Sequence, residues 1–329
     1  MASGIVRRAA LRLLAAGAGL MASGLAQAQS YPTKPIRLIV PFAAGGGVDT
    51  VARILGEALK QELGQGVVIE NLPGASGTRG AETAVKAEPD GYTILLASAG
   101  EIAVAPHIQK GLRYMPERDL VPITLAVRVP NVLVVKGDSP HKSAAQLIAF
   151  SKAQPKDGTY SSSGVGNPQH LAGELMNKMA GSQLLHVAYR GAAQQIPDVL
   201  AGSVTATFAS YLAVASFVQN GQLHAVGVTS KERIPSLPDV PALAETPGLA
   251  NFDVVNWFGL FAPAKTPPAI LDTLHTAAIR ALGKPEIAAK LSELGSYPSP
   301  MSAAAFGLFV RDETAKFRGI VAAAGIEAQ

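Results

Sequence analysis

The chain has 329 residues, 48% of them hydrophobic, and a formal net charge of +4. That apolar content suffices for folded cores and excludes a disordered chain, and the length suits two domains or one large α/β domain. Cysteine is absent, which excludes disulfides, thiolate catalysis, Cys-ligated metal sites and a lipidated N-terminal Cys.

The N-terminus reads as an export signal. Arg7, Arg8 and Arg12 form a basic region, residues 13–25 a short apolar one, and Ala26-Gln-Ala28 a small-x-small cleavage site. The apolar run is too short for a membrane span and is broken by Gly17, Gly19 and Gly24. The Arg7-Arg8 pair suits twin-arginine export, but the flanking Ser and Phe of that signal are missing, which favours ordinary secretion. Residues 1–28 are therefore expected to be a cleaved signal, and the mature chain to be free in the periplasm. Their removal takes three arginines and no acid, so the basic balance nearly vanishes. With it goes the electrostatic case for nucleic acid or anionic lipid.

The first strand is expected over residues 36–41. A turn at Gly45, Gly46 and Gly47 follows, then a helix to about Leu63 with Val51, Ile54, Leu55, Ala58, Leu59 and Leu63 on one face and Asp49 as its cap. Residues 67–70 read as a strand, 73–77 as a turn and 81–87 as a short helix. Pro89-Asp90-Gly91 turns into an apolar strand over 92–97. Residues 125–135 and 254–262 are longer β-rich runs. Between them helices are expected near 144–153, 168–180, 192–201 and 212–220, with strands near Tyr160, Leu185, Val204 and Ala225. Helices over 268–282, 286–294 and 303–324 complete the chain.

The alternation argues α/β. If both long runs are crossovers, residues 29–128 and 254–329 form one discontinuous lobe and 129–253 an inserted second lobe. Two consecutive domains with a single linker are the alternative. A ligand would bind between the lobes, near the C-terminal ends of strands.

Two strand–turn–helix units share one design. The first carries Gly45 to Gly47 ahead of its helix. The second runs from Thr159 through Ser161, Ser162, Ser163, Gly164 and Gly166 to Asn167, a good helix cap followed by Pro168. Each is expected to present bare amides at a helix start, where an anion is favoured without Lys or Arg. Ordinary strand-to-helix turns use glycine in the same way, so the pair of matching loops carries more weight than either alone. The second loop lacks the third glycine of a dinucleotide fingerprint, and no Walker-type Gly-Lys follows either loop. Gly74-Ala-Ser76-Gly77 is not a nucleophile elbow. Ser161 to Ser163 with His170 leave a Ser/His hydrolase as the runner-up. No histidine pair has i,i+3 or i,i+4 spacing, so neither metal nor cofactor is expected. His170 reads as a helix-surface or loop-bracing residue, and Glu101 as a solvated surface charge.

Ile39-Val-Pro-Phe-Ala-Ala-Gly-Gly-Gly-Val-Asp49, Glu70-Asn-Leu-Pro-Gly-Ala-Ser-Gly77 and Pro89-Asp-Gly-Tyr-Thr93 resemble the tripartite tricarboxylate transporter substrate-binding proteins, or Bug receptors. So do Ser162-Ser-Gly-Val-Gly-Asn-Pro-Gln-His-Leu-Ala-Gly-Glu174, Tyr189-Arg-Gly191, Leu237-Pro-Asp-Val-Pro241 and Trp257-Phe-Gly-Leu-Phe-Ala-Pro263. These blocks follow one another in family order from about Tyr31 onward. The resemblance implies a type II periplasmic-binding-protein fold, two α/β lobes joined by two crossover strands. It implies a non-enzymatic, monomeric receptor for a small carboxylate that serves membrane permease subunits or a sensor; a sensing module without transport is the other alternative. Carried over by position, Phe42, Ala43, Gly47 and Asp49 on one lobe and Ser163, Gly164, Gly166 and Asn167 on the other would hold a carboxylate. Ser98 and Ala99 would face the ligand's distal end. Asn167 stands where Thr or Ser is usual. Thr205, Ala209 and Ser210 replace more polar residues, which implies a less polar ligand tail.

Overall fold

The computed structural model describes residues 31–155, 157–189 and 192–328; the expected signal, 1–28, lies outside the described residues. The chain divides into a short unit, Met1–Thr33, and a folded body beginning at Lys34. In chain order the body comprises β1 (Ile36–Val40), α1 (Gly47–Leu63), β2 (Val67–Asn71), a 3-10 turn (Ala75–Gly77), α2 (Thr78–Val85), β3 (Thr93–Ser98), a π turn (Gly100–Val104), α3 (Ala105–Ile108), α4 (Pro116–Asp119) and β4 (Leu120–Lys136). Then follow α5 (Ala144–Ala153), β5 (Thr159–Ser162), α6 (Pro168–Ala180), β6 (Leu185–Ala188), α7 (Ala192–Ala201), β7 (Ala206–Ser210), α8 (Tyr211–Gln219) and β8 (Leu223–Val228). After a second 3-10 turn (Leu243–Glu245) come β9 (Val255–Pro263), α9 (Pro268–Gly283), α10 (Pro285–Glu293), β10 (Tyr297–Pro298) and α11 (Ala303–Ala324).

The α/β expectation holds. The strands run β2-β1-β3-β9-β4-β7-β5-β6, with β8 and β10 also paired to β4. β1 is parallel to β2 and β3, and β5 is parallel to β6 and β7, whereas β9 is antiparallel to both β3 and β4. β1 and β3 are apolar along almost their whole length because helices cover the sheet. On α1 the predicted stripe of Val51, Ile54, Leu55, Ala58 and Leu59 is buried, and the helix stops at Gly64 in the left-handed conformation.

β4 changes partners along its length. Leu120 to Pro130 pair with β9, and Asn131 onward pair with β7; Val132 onward also pair with β8. Proline has no N–H to give a ladder, and Pro130 stands where one ladder ends and the next begins. Pro122 likewise adjoins a register shift against β9. Trp257, Phe261, Phe306 and Phe317 form one buried group with Tyr160 and Phe208. Val132, Val134, Ile196 and Val214 belong to a second. Among the described residues no helix is long and apolar enough to cross a membrane.

Candidate functional site

The first loop is shaped by Asp49, though not as the helix cap expected from the sequence. Gly46 occupies the cap position without a side-chain bond, and Asp49 is the third residue of α1. Its carboxylate, 2% exposed, folds back to accept from the Gly45 amide at 2.9 Å and from Asn71 Nδ2 at 2.9 Å. Arg53, one turn further on, donates to both oxygens at 2.9 and 3.0 Å. Asn71 Nδ2 also donates to the Phe42 carbonyl. Burial alone would raise the Asp49 carboxyl, but the bonds from Arg53, Gly45 and Asn71 outweigh it and hold the group below its ordinary value. The loop from Phe42 to Gly46 is thus pinned from inside. The amides of Ala43, Ala44, Gly47 and Val48 have no partner among the described residues.

The second loop follows the expected capping. Asn167 accepts from the His170 amide at 3.0 Å, and Pro168 is the first helical residue. The bare amides are only partly there. Ser163 N–H donates to Gln169 Oε1, Gly166 N–H to His170 Nδ1, and Gly164 N–H to Ser162 Oγ. The first turn of α6 therefore satisfies the loop that precedes it, as a partly buried backbone requires. The amides of Val165, Asn167 and Gln169 have no partner among the described residues. Gly166 also has a packing reason to lack a side chain: its φ is +77° and a Cβ would lie 1.9 Å from Ile108 Cδ1. Gly47 has none, since a Cβ there would meet nothing within 4 Å.

The hydroxyl and imidazole pair envisaged for a hydrolase does not form as expected. His170 spends Nδ1 on Gly166, and Ser162 Oγ instead meets His186 Nε2 at 2.7 Å. Ser162 donates to the Gly164 carbonyl, so His186 donates to it. Ser161 and Ser162 are both fully buried. His170 and His186 stack at 4.1 Å, and His186 stacks on Tyr160. Burial drives His170 down to about 4, and burial with the neighbouring His170 drives His186 down to about 3. Both are neutral braces beneath the loop at neutral pH.

Glu101, expected on the surface, is fully buried. The π turn carries it back under the end of β3, where Ser98 N–H donates to Oε1 at 2.6 Å and Ser98 Oγ to Oε2 at 2.5 Å. Burial pushes its carboxyl up to about 7 against the pull of the Ser98 bonds. A carboxyl raised in the folded state stabilises below its unfolded value and loses that contribution as pH rises through about 7. The histidine pair acts with the opposite sign on acidification, so a variant is needed to separate the two. Relative to Glu101→Gln, the wild type is expected to lose Tm steadily from pH 5 to 8. A constant difference between the two melting curves would show that Glu101 does not titrate in this window.

Ser98 and Ala99 are buried, with the polar atoms of Ser98 engaged by Glu101. Ser210 is half-buried at the C-terminal end of β7, opposite Asn131. Thr205 is at the other end, exchanging bonds with Thr159. It therefore belongs to the sheet and not to any site shared with Ser210. Ala209 is fully buried.

The fold brings several of these segments together. Gly77, with φ +95°, lies so close that a Cβ would be 3.0 Å from Glu101 Oε2 and 3.1 Å from Phe42 Cζ. Ser76, beside it, donates to the Val165 carbonyl at 3.2 Å and so joins the 3-10 turn to the second loop. Ala75 and Ser76 both hold positive φ without being glycine, a strain of about 1 kcal/mol or more each that the surrounding structure must offset. Sequence reasoning missed Asn71, Gln169 and His186. It also missed Arg53, for which the i,i+4 spacing from Asp49 was a local signal. Among the described residues no group of three His, Asp or Glu side chains could hold a metal ion.

Solved structures share this architecture. That of the periplasmic binding protein BugD superposes with a TM-score of 0.83 at 33% identity, covering 91% of this chain and 100% of that one. R. palustris Rpa4515 with adipate superposes with a TM-score of 0.86 at 32% identity, with coverages of 91% and 100%. The fold is thus that of the α/β periplasmic binding proteins. In sequence, BugT of Bordetella pertussis (strain Tohama I) is 33% identical over 319 residues, 95% of this chain and 98% of its own length. The family described as Tripartite tricarboxylate transporter family receptor, TctC, matches residues 51–326, and this chain belongs to it.

Proposed function

We propose that the chain is a non-enzymatic periplasmic receptor that closes on a small carboxylate between two lobes, residues 29–128 with 254–329 and residues 129–253. One observation carries the reading. Two strand–loop–helix units each offer unpaired amides at a helix start, and the Ser76–Val165 bond joins the turn beside the first loop to the second. Helix-start amides favour an anion without a cationic side chain, and a carboxylate needs less neutralisation than a phosphate. Phe42, Ala43, Gly47 and Asp49 would shape one side of the grip and Ser163, Gly164, Gly166 and Asn167 the other, through free amides and ordered water. Ser210 would border the site, with Ser98 and Ala99 behind it. The change of ladder at Pro130 and the return through Thr229 to Val254 are the two crossings about which a hinge would act. The ligand would pass to membrane permease subunits or be reported to a sensor, and the cleaved signal would account for export of a monomer. Adipate, carried by the Rpa4515 structure, makes dicarboxylates the first class to try.

A thermal-shift screen of mono- and dicarboxylates tests the proposal. Ligand at 100 times Kd adds about 2.7 kcal/mol, enough to raise Tm by about 4 °C. Shifts with amines or sugars and none with carboxylates would overturn it. Gly47→Val should melt close to the wild type, because a Cβ at this position meets nothing within 4 Å. It should bind at least about tenfold more weakly, equivalent to ~1.4 kcal/mol. Unchanged affinity would return the first loop to a plain turn.

A further inference from the structure

Asn131 is the first residue of β4 to pair with β7, and it faces Ser210 across the ladder. It is 1% exposed. Its main chain is fully engaged: the N–H donates to Thr229 Oγ1 at 3.0 Å, and the carbonyl accepts from the Thr229 amide at 2.9 Å. Its side chain ends a line of hydrogen bonds that starts in the second loop. Ser163 N–H donates to Gln169 Oε1 at 2.9 Å, and Gln169 Nε2 donates to Asn131 Oδ1 at 3.4 Å. Asn131 Nδ2 is left with no partner.

The direction of that line is fixed at its beginning. A backbone N–H can only donate, so Gln169 must turn its oxygen to Ser163 and its amino group to Asn131. An amino group can only donate, so Asn131 must turn Oδ1 to Gln169. Reversing either amide would set two donors face to face. The group left over is therefore a donor, shielded from solvent, and one carbon away from the oxygen that Gln169 engages. Buried donors without acceptors are unfavourable and rare.

The geometry points to Asn131 as a specificity-determining residue: Nδ2 donates to an oxygen of the bound ligand. It selects ligands that present an acceptor at that point, such as a carboxylate or hydroxyl oxygen, and rejects an ammonium group there. This rests on the receptor reading above and extends it to a crossover residue that neither glycine-rich loop contains. Because the same residue lies where β4 changes ladders, the contact ties ligand capture to a crossing between the two sets of strands.

Titration calorimetry on the purified chain with adipate, glutarate, malate and the diamine putrescine tests it. The wild type is expected to bind at least one carboxylate and not putrescine. Asn131→Asp keeps the size and the acceptor for Gln169 but replaces the donor with an oxygen. It should weaken that carboxylate by about 30-fold or more, and the buried charge should also lower the unliganded Tm. Gln169→Glu, at a half-buried position, leaves Asn131 in place but lets its amide turn over, presenting an oxygen to the ligand; it should weaken binding comparably. If either variant that folds binds the carboxylate within about threefold of wild type, this inference fails while the receptor reading stands. A wild type that binds putrescine alone, or nothing in the panel, overturns both.

Discussion

Replacing Asp49 by alanine is expected to lower stability by about 2 kcal/mol and to weaken carboxylate binding by one to two orders of magnitude. The ion pair itself contributes little to the first figure, because the Arg53 side chain is 56% exposed and exposed pairs are screened. The larger share comes from the Gly45 amide, which loses its acceptor, and Asn71 Nδ2, which loses one of its two. Asn71 cannot compensate by turning over, since its amino group also donates to the Phe42 carbonyl. The loop would then lose the tie between Gly45 and α1, and its free amides would no longer be held in register for a ligand. Asp49→Asn should fall between, retaining an acceptor for Gly45 but opposing donors from Arg53 and Asn71. The pH dependence has a definite sign. Asp49 is depressed in the folded state, so its contribution is present above the unfolded value of 3.8 and is lost as pH falls through the lower folded one. Urea titrations at pH 7 and pH 3 check this: the gap between wild type and Asp49→Ala should be wide at the first and narrower at the second. Full stability together with full affinity in Asp49→Ala would sink the assignment.

Gly166→Val is expected to cost about 2–4 kcal/mol, the largest loss of any single loop substitution considered. Two separable terms contribute. The left-handed backbone at φ +77° disfavours any side chain, and the new Cβ overlaps Ile108 Cδ1 at 1.9 Å. The second term involves the far end of a flexible side chain, so shortening it gives relief. Gly166→Ala with Ile108→Ala should therefore be less destabilised than the sum of the single variants, by about 1 kcal/mol, with the backbone term remaining. Strict additivity in chemical denaturation would show that the overlap is relieved without cost. The contrast with Gly47→Val matters for function: a binding defect at Gly166 mixes folding with recognition, and one at Gly47 does not.

The sequence made the local parts legible. Apolar spacing set the buried face of α1, and α5, α6, α7 and α11 run as expected from it. The Asn167-Pro168 pair fixed the start of α6 because capping needs only neighbouring residues. What escaped depended on pairings between distant segments or on the path of an irregular turn or loop. Asp49 reads as a cap until Asn71 is known to lie beside it. Glu101 reads as solvated until a π turn folds it under Ser98. His186 has no meaning as a loop brace until the order β7-β5-β6 sets its strand beside Ser162. The two loops were correctly located, but how many of their amides are free could not be read, since Gln169 and His170 reach back from the helix to claim two of them.

The route of β9 bears on how the chain acquires its structure. Ser98 pairs with Phe258 and Leu120 with Pro263, so the β3–β9–β4 ladder joins segments separated by most of the intervening sequence. The ladder from Asn131 to Val228 closes over shorter loops. Loop closure costs entropy before its contacts form, and distant pairings form slowly. The stretch around β5 to β8 is thus able to order early, and so are β1 to β3 among themselves, where Ile36 pairs with Val67 and Arg37 with Thr93. β9, from the last third of the chain, joins them late. A truncation before Val255 would leave β3 with an uncovered edge.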